Sequence, residues 1–325
     1  MALISCSELK KTFGINTVLE NISFTINEQE RVGIVGPNGA GKSTLFKLLT
    51  GEYTPDSGQI FKAKDMSIGY LPQNHKFDSE KTIWDELMEA YAPIFNIERQ
   101  LRDMERQMAD LAEEEPLEHS KLADDYNRLI HEFEEGGGYS YESNIRGVLN
   151  GLGFSQHEYN QPISQLSGGQ KTRVALGKLL LKGPDLLLLD EPTNYLDLEA
   201  MEWLEQYLIA YTGTVMVISH DRYFLDNVCT TIIEIEAGKS YVYSGNYTNY
   251  LRRRAERLDN HQRAYDNQQR EIKRQKEIIE RFRSFNREKS VRAAESREKM
   301  LERMELIDSP HTDREVYISF DIERQ

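Results

Sequence analysis

Eight residues near the N-terminus have the types and spacing of a phosphate-binding loop. The segment Gly36-Pro37-Asn38-Gly39-Ala40-Gly41-Lys42-Ser43 matches the pattern G-x-x-x-x-G-K-S and follows a short apolar run at 31–35. Glycines let backbone N–H groups converge on a phosphate, and the N-terminus of the helix that follows adds positive potential. Lys42 is expected to reach the β- and γ-phosphates of a nucleotide, and Ser43 to bind Mg²⁺. The segment therefore predicts nucleotide binding.

Two carboxylates follow a second apolar run. Leu186–Leu189 predicts a buried strand that carries Asp190 and Glu191 at its carboxyl end. Asp190 would hold Mg²⁺ directly or through water, and Glu191 would orient and polarise an attacking water. Acids at the end of a strand can also be purely structural. Together with the phosphate loop, they predict nucleotide hydrolysis.

The elements that must position these residues follow from the hydrophobic periodicity. Short apolar strands alternate with helices, which predicts an α/β fold with a covered, mainly parallel sheet. Alternation at 2–9 and 22–26 predicts a small additional β part at the N-terminus. The other predicted strands are 66–71, 215–218 and a hairpin of 231–236 and 240–244, and the main predicted helices are 172–181 and 201–211.

A third motif lies between the two halves of the predicted nucleotide site. Leu166-Ser167-Gly168-Gly169-Gln170 resembles the signature sequence of ATP-binding-cassette (ABC) ATPases. The rest of that family's motifs occur in the family's order over about residues 1–250. They are the adenine-stacking aromatic (Phe13), the Q-loop glutamine (Gln73), the D-loop (Asn194-Tyr195-Leu196-Asp197) and the switch histidine (His220).

The resemblance implies a complete set of site residues with ATP and Mg²⁺ as the bound groups. The implied catalytic residues are Glu191, His220 and Gln73. The implied Mg²⁺ ligands are Ser43, Gln73 and Asp190. The implied nucleotide-binding residues are Phe13, Gly36, Asn38, Gly39, Gly41, Lys42, Ser43, Thr44, Ser167, Gly168, Gly169, Gln170 and Asp197.

Three features resemble the ABC-F branch, whose members are translation factors with two cassettes in one chain. The segment Glu191–Asp197 is similar to the ABC-F form Glu-Pro-Thr-Asn-His-Leu-Asp, with Tyr195 in place of the usual His. A charged helical excursion at about 93–138, ending in three glycines, lies where this branch carries its arm. The charged segment 252–310 resembles the interdomain linker, including Ser296-Arg297.

The ABC-F resemblance implies that the protein engages the ribosome in an ATP-dependent way, with linker and arm contacting rRNA and peptidyl-tRNA. Stalling relief and protection of the ribosome against antibiotics both occur in this branch. The alternative is the ATPase subunit of an ABC membrane transporter, which would need a membrane partner near Gln73. A third interpretation, a coiled-coil adaptor with a vestigial cassette, is disfavoured because the residues of an active site are present. They are Lys42, Asp190, Glu191 and His220.

The linker segment has the periodicity of a helical hairpin. It lacks Gly and Pro from 252 to 307, and apolar residues recur every seventh position from Leu251 to Ile279. A second helix is predicted at 293–306, after a break near 283–291. Cations near the turn would face RNA phosphates. They are Arg281, Arg283, Arg287, Lys289 and Arg292. Phe282 and Phe285 could stack on a base or pack internally.

The net charge of −14 divides unevenly along the chain. Residues 252–308 hold 17 Lys and Arg against 12 Asp and Glu, a net of +5, which leaves −19 for the remainder. An acidic body would disfavour non-specific RNA contacts and leave them to the linker. No apolar run of about 18 residues or secretory signal is evident, so a cytoplasmic protein without a membrane segment is expected. The two cysteines, Cys6 and Cys229, cannot form a disulfide framework.

The motif count predicts an incomplete pair of ATP sites. ABC ATPases bind nucleotide between the phosphate loop of one cassette and the signature of another, and this chain has one of each. We expect a cassette at 1–251, a linker at 252–310 and the start of a second cassette at 311–325, where Val316, Ile318 and Phe320 alternate. The chain would then bind ATP but hydrolyse it slowly unless it dimerises.

Overall fold

The computed structural model describes residues 1–73, 79–110, 116–284 and 288–304. The side chains of 110, 116–120, 283–284 and 288–294 lie outside this description. The chain divides into two compact units, Met1–Tyr250 and the part from Leu251 onward.

The first unit is built on one mixed sheet whose central strands are buried on both faces. Its strands within the described ranges are β1 (Ala2–Phe13), β2 (Asn16–Asn27), β3 (Arg31–Val35), β4 (Ser57–Lys62), β5 (Ile68–Leu71), β6 (Leu186–Asp190), β7 (Thr214–Ile218), β8 (Thr231–Glu236) and β9 (Lys239–Ser244). Their order is β4-β1-β2-β9-β8-β3-β7-β6-β5. Every residue of β3, β6 and β7 is buried, as expected for strands covered by helices on both sides.

The carboxyl ends of the parallel strands all lie along the same edge of the sheet. β3 pairs with β7 and β8, β7 with β6, and β6 with β5, all in parallel register. The loops after β3, β5, β6 and β7 carry the phosphate loop, Gln73, Glu191 and His220 in turn. Since ligands of open α/β sheets bind beyond the carboxyl ends of the strands, this topology positions the predicted site.

The N-terminal β part is longer than predicted. β1 and β2 each span 12 residues, against predicted strands at 2–9 and 22–26. Register shifts between Cys6 and Leu9 and between Leu9 and Thr12 interrupt the strict alternation that marks a strand in sequence. Cys6 and Cys229 are free and buried in this unit, and burial raises the pKa of each thiol to about 12.

Helices cover the sheet and extend from it. They are α1 (Lys42–Thr50), α2 (Ile83–Met88), α3 (Ala92–Asp110), α4 (Pro116–Glu135), α5 (Tyr141–Gly151), α6 (Gly168–Lys182), α7 (Leu198–Ala210) and α8 (Arg222–Val228). The excursion at 93–138 forms a hairpin of α3 and α4, in which the Tyr126 hydroxyl donates to Glu105 at 2.9 Å. A Cβ at Gly138 would lie 2.4 Å from the Phe133 ring, so a glycine is needed where the hairpin closes.

The second unit is helical, and its helices begin earlier than the periodicity predicts. The helix α9 (Tyr247–Ser284) starts five residues before 252, and α10 (Glu288–Glu302) starts five before 293. The start of α9 is set by side-chain caps, because Asp226 and Asn246 accept the N–H groups of Thr248 and Asn249 at 2.7 and 3.2 Å.

Within the second unit, a buried polar contact joins the two helices. Arg297 of α10 donates to the side-chain oxygen of Gln275 on α9 at 2.7 Å, and its guanidinium lies 5.8 Å from the centre of the Phe282 ring. Phe282 therefore packs under a cation within the hairpin. Residues 305–325, including the expected strand at 316–320, lie outside the described ranges, as does Phe285.

Candidate nucleotide site

The phosphate loop adopts a backbone that requires its glycines. Gly41 has φ 95°, and a Cβ there would lie 2.7 Å from Val18 Cγ1. A Cβ on Gly36 would lie 2.3 Å from the carbonyl oxygen of Ile235. The loop is therefore held against β2 and β8, with Asn38 and Gly39 exposed at its tip.

Lys42 lies across this loop at the start of α1. Its ammonium donates to the carbonyl oxygens of Gly36 and Pro37 at 2.8 and 3.0 Å. Burial lowers the pKa of Lys42, and the nearby carboxylates of Glu191 and Asp190 act in the opposite direction. No side chain caps the N-terminus of α1, so its first N–H groups remain available to an anion. The half-buried Thr44 lies in the same turn.

Asp190 and Ser43 form a hydroxyl–carboxylate pair beside the loop. Asp190 is 4% exposed, and burial raises its pKa, while a hydrogen bond from Ser43 lowers it. The described residues contain no cluster of three or more His, Cys, Asp or Glu that could hold a metal alone. Mg²⁺ commonly takes one or two protein oxygens and completes its shell with phosphates and water. The donor set of Ser43 and Asp190, with exposed Gln73 after β5, fits that preference.

Glu191 has the environment of a general base. Its φ is 55°, and its N–H donates to the Ile218 carbonyl at 2.8 Å, which directs the side chain toward His220. One carboxylate oxygen accepts the His220 N–H at 3.3 Å. The other is buried without a hydrogen bond and lies 3.5 Å from His220 Nε2. Burial raises the pKa of Glu191, and His220 opposes that shift. An unpaired acceptor can take a proton from water.

Phe13 presents its ring at the end of β1, where a two-residue turn leads into β2. The side chain is 44% exposed. Tyr53 supports it edge-on, with ring centres 5.6 Å apart and an interplanar angle of 68°. The sequence interpretation missed Tyr53, although an aromatic residue just after α1 was the available signal. An exposed ring held in this way can stack on a planar base.

The signature segment is the capped start of α6. Ser167 accepts the N–H of Gln170 at 3.3 Å, and the Gln170 side chain accepts the N–H of Ser167 at 3.0 Å. This capping box orients the exposed Ser167 and Gly168. A Cβ on Gly169 would lie 2.9 Å from that of Tyr195, so the D-loop packs directly against the signature.

The predicted residues thus fall into two groups. The first gathers at the strand ends and comprises Gly36, Lys42, Ser43, Asp190, Glu191 and His220. The second is the signature with the D-loop, whose Asp197 caps α7 by accepting the Ala200 N–H at 2.9 Å. Among the hydrogen bonds of the described residues, none links Ser167–Gln170 to the phosphate loop.

The predicted RNA-contacting cations are described only in part. Arg281 is exposed on α9. Arg287 lies outside the described ranges, as do the side chains of Arg283, Lys289 and Arg292. In the parts of the chain that the structure describes, no helix combines the length and hydrophobicity needed to cross a bilayer.

Comparison with protein-family models gives two matches. A model described as ABC transporter matches residues 19–194, and a second model with the same description matches residues 233–320. The second match extends beyond the cassette through the segment that carries α9 and α10.

Curated relatives align over most of this chain. The Bacillus subtilis protein YdiF is 42% identical over 100% of the chain and 50% of its own length. The ABC transporter F family member 2 of Arabidopsis thaliana is 34% identical over 98% of the chain and 47% of its length. The energy-dependent translational throttle protein EttA of Mycobacterium tuberculosis is 35% identical over 79% of the chain and 44% of its own length. The chain spans about half the length of these relatives.

Solved structures support the same fold. The ATP-binding subunit of an ABC transporter superposes with a TM-score of 0.55 at 20% identity, over 74% of this chain and 90% of that one. CbiO1 of Clostridium perfringens, part of the transporter complex cbiONQ, superposes with a TM-score of 0.50 at 22% identity. The match covers 77% of this chain and 90% of that one. The first family model covers more than half of the chain. The chain therefore belongs to the family of ABC ATP-binding domains, and its relatives include F-family members, which confirms the resemblance predicted from its motifs.

Proposed function

We propose that this protein binds and hydrolyses ATP and uses that cycle to act on the ribosome during translation. The observation that supports hydrolysis is the buried Glu191 oxygen that has no hydrogen bond and lies near Lys42, Asp190 and His220. The translational role is supported by the match to a protein named a translational throttle and to an F-family member.

Each group of the site has a distinct task in ATP binding. Phe13 stacks on adenine, and the loop amides from Gly36 to Thr44 surround the phosphates. Lys42 exchanges its two loop carbonyls for phosphate oxygens, which are stronger acceptors because they are charged. Ser43, Gln73 and Asp190 would hold Mg²⁺, which supplies charge neutralisation on the phosphates when bound.

Hydrolysis uses Glu191 and His220 as a pair. The Glu191 oxygen that has no hydrogen bond orients a water and accepts its proton as the water attacks the γ-phosphorus. The bond from the γ-phosphorus to the β–γ bridging oxygen breaks at the same time, and ADP leaves with that oxygen. His220, 64% exposed, donates toward the γ-phosphate while its backbone N–H fixes the other Glu191 oxygen. Ser167, Gly168 and Gly169 would serve a nucleotide bound mainly by a second cassette, together with Gln170 and Asp197. The support is that no hydrogen bond among the described residues links Ser167–Gln170 to their own phosphate loop.

The hairpin of α9 and α10 is the proposed ribosome-contacting element. Its segment carries a net charge of +5 in a chain of −14, so it concentrates the positive charge that attracts RNA phosphates. Arg281, Arg283, Arg287, Lys289 and Arg292 are the proposed contacts with rRNA and peptidyl-tRNA. The α3–α4 hairpin is proposed as a second contact, and the cytoplasm as the compartment.

Co-sedimentation with ribosomes tests the function. Glu191→Gln keeps the shape of the side chain but cannot take a proton, so ATP should trap the variant in its bound form. We expect more Glu191→Gln protein than wild type in the ribosome pellet with ATP, and the excess should vanish without nucleotide. The matched control reverses Arg283, Arg287 and Arg292 to Glu in the Glu191→Gln background, which should abolish pelleting while ATP binding survives. Equal pelleting of wild type and Glu191→Gln would reject the ribosomal role, and co-purification with a polytopic membrane protein would favour the transporter alternative.

A further inference from the structure

A buried carboxylate lies next to the phosphate loop and is absent from the motif set. Glu234 of β8 is 2% exposed and stands opposite Val35 in the parallel register of β3 and β8. Val35 is the last residue of β3 before Gly36. The next residue of β8, Ile235, is the one whose carbonyl oxygen excludes any side chain from Gly36. The β8 backbone at 234–235 therefore forms the wall against which the phosphate loop begins.

Two tyrosine hydroxyls hold this carboxylate. Tyr243 on β9 donates to one oxygen at 3.0 Å, and Tyr250, in the first turn of α9, donates to the other at 2.9 Å. The two rings also touch edge-on, with centres 5.2 Å apart. Burying a carboxyl group is costly unless its oxygens are hydrogen-bonded, so these two bonds help to stabilise Glu234 inside the fold.

The first turn of α9 is fixed from a second side. Asp226 of α8 accepts the Thr248 N–H at 2.7 Å. The helix α8 begins at Arg222, directly after the His220-Asp221 pair, and Asp221 caps it. Residues Tyr247–Tyr250 thus contact the strand beside the phosphate loop and the helix that follows the switch histidine, and all of these contacts lie within the first unit.

We infer that Glu234 and Tyr250 are positioning residues that tie the nucleotide affinity of the phosphate loop to the docking of the first turn of α9. When Tyr250 is docked, both oxygens of Glu234 are bonded and β8 is held in the register that the loop packs on. When that turn lifts away, Glu234 loses the hydrogen bond from Tyr250, and β8 loses one of the contacts that hold it in this register. By reciprocity, nucleotide bound at the loop favours the docked turn. The inference rests on the proposed ATP binding and adds to it a regulatory residue outside the family's motifs.

The test uses the full 325-residue chain with Tyr250→Phe, which removes one hydroxyl and keeps the ring. The matched control is Tyr247→Phe, in the same helical turn and 5.4 Å from the Tyr250 ring. Hydrogen exchange of the nucleotide-free proteins is compared over β3 and the first turn of α1. Affinity for a fluorescent N-methylanthraniloyl derivative of ATP is measured in parallel.

We expect Tyr250→Phe to speed exchange in β8, β3 and the start of α1 while β1 and β4 exchange as in the wild type. Its nucleotide Kd should rise about fivefold or more, as for a typical coupling between sites. Tyr247→Phe should change neither quantity. In a Glu234→Gln background, adding Tyr250→Phe should have less effect than in the wild type, because the two residues act through one contact.

The two readouts separate this inference from the proposed function. Unchanged exchange in β3 and α1 of Tyr250→Phe overturns the inference, whatever the nucleotide result. A general rise in exchange that includes β1 and β4 also overturns it, since that indicates only lost stability. If the wild-type chain fails to bind the ATP derivative while Lys42→Ala behaves identically, the proposed function falls, and the exchange comparison alone decides the role of Tyr250.

Discussion

Glu191 is buried and one of its oxygens has no hydrogen bond, and this combination has an energetic cost. Burial raises its pKa above the ordinary 4.5, so at pH values between 4.5 and the raised pKa the folded protein holds a proton that the unfolded chain releases. A carboxyl with a raised folded pKa lowers stability at pH values above that pKa, and the cost disappears below 4.5, where both states are protonated. If Glu191 is the base that we propose, the protein keeps it at some cost to the stability of the fold.

The pH dependence of unfolding measures that cost. We predict that Glu191→Gln raises the urea midpoint at pH 8, and that the gain shrinks as the pH falls toward 4.5. Unfolding curves of wild type and variant across this range provide the check. Asp190→Asn should also raise the urea midpoint at pH 8, because burial also raises the pKa of Asp190. A gain that is equal at both pH values would contradict the assignment of a raised pKa.

Phe13 should strengthen the binding of the adenine base and leave the binding of the phosphates unchanged. Base–aromatic stacking is worth about 1–3 kcal/mol, so Phe13→Ala should weaken ATP binding by roughly tenfold or more. Phe13→Tyr keeps a stacking ring and should bind nearly as wild type. Inorganic triphosphate competes through the loop alone, so its affinity should be the same in all three proteins. If Phe13→Ala loses affinity for ATP and for triphosphate equally, the ring supports the structure of the site and does not stack on the base.

Site residues in contiguous motifs were predictable, and supporting residues were not. Lys42, Asp190 and Glu191 follow from local sequence because a short loop or strand end determines their position. Tyr53, Glu234 and Tyr250 act through contacts between segments far apart in the chain, so no local pattern marks them. Glu234 lies among apolar residues of β8, and its sequence neighbours give no sign of a special role. Its burial in the structure is what draws attention to it.

At the scale of elements, one buried arginine joins β3 to the end of α7. Arg31 is 8% exposed and donates to the carbonyls of Leu208, Gly213 and Tyr211. The helix α7 ends at Ala210, so the guanidinium satisfies carbonyls that the helix terminus leaves free. It thereby holds the helix after the D-loop to the strand before the phosphate loop.

Removing this arginine should destabilise the first unit strongly. Arg31→Met leaves several buried carbonyls without donors, at about 1–3 kcal/mol each, so we predict a loss of at least about 3 kcal/mol. Both tryptophans of the chain, Trp84 and Trp203, lie in the first unit, so tryptophan fluorescence in urea reports on that unit. The exposed Arg222→Met is the matched control and should change stability by less than about 0.5 kcal/mol. Similar losses in both variants would reject the role of Arg31.

Element types were predicted better than element ends. Buried strands such as β6 and β7 follow from short apolar runs bounded by polar residues. The starts of α6 and α9 were placed four to five residues late, because side-chain caps extend these helices into polar sequence. The nine-stranded order also lay beyond prediction, since it depends on contacts between strands remote in sequence.

At the scale of the whole molecule, the two groups of site residues lie on one cassette, and no hydrogen bond among the described residues joins the signature to the phosphate loop. The signature face is exposed. We therefore propose that a complete site needs a second cassette, either another copy of this chain or a different one.

Dependence on protein concentration tests this arrangement. We predict that ATP hydrolysis per molecule is low in dilute protein and rises with concentration as copies pair. Ser167→Arg should block pairing and hold the activity at its dilute level, while ATP binding stays unchanged because Ser167 belongs to the partner's site. Robust activity that is independent of concentration, in wild type and variant alike, would place the complete site within one copy.

The two cysteines have a practical consequence for observing this protein in motion. Cys6 and Cys229 are buried, and a thiol with a pKa of about 12 is almost entirely protonated at neutral pH. The native chain is therefore nearly inert to maleimide reagents without any cysteine being replaced. A pair of new surface cysteines, one on the cassette and one on α10, could carry donor and acceptor dyes in an otherwise unaltered sequence. Single-molecule energy transfer would then follow the linker hairpin through each nucleotide state in real time.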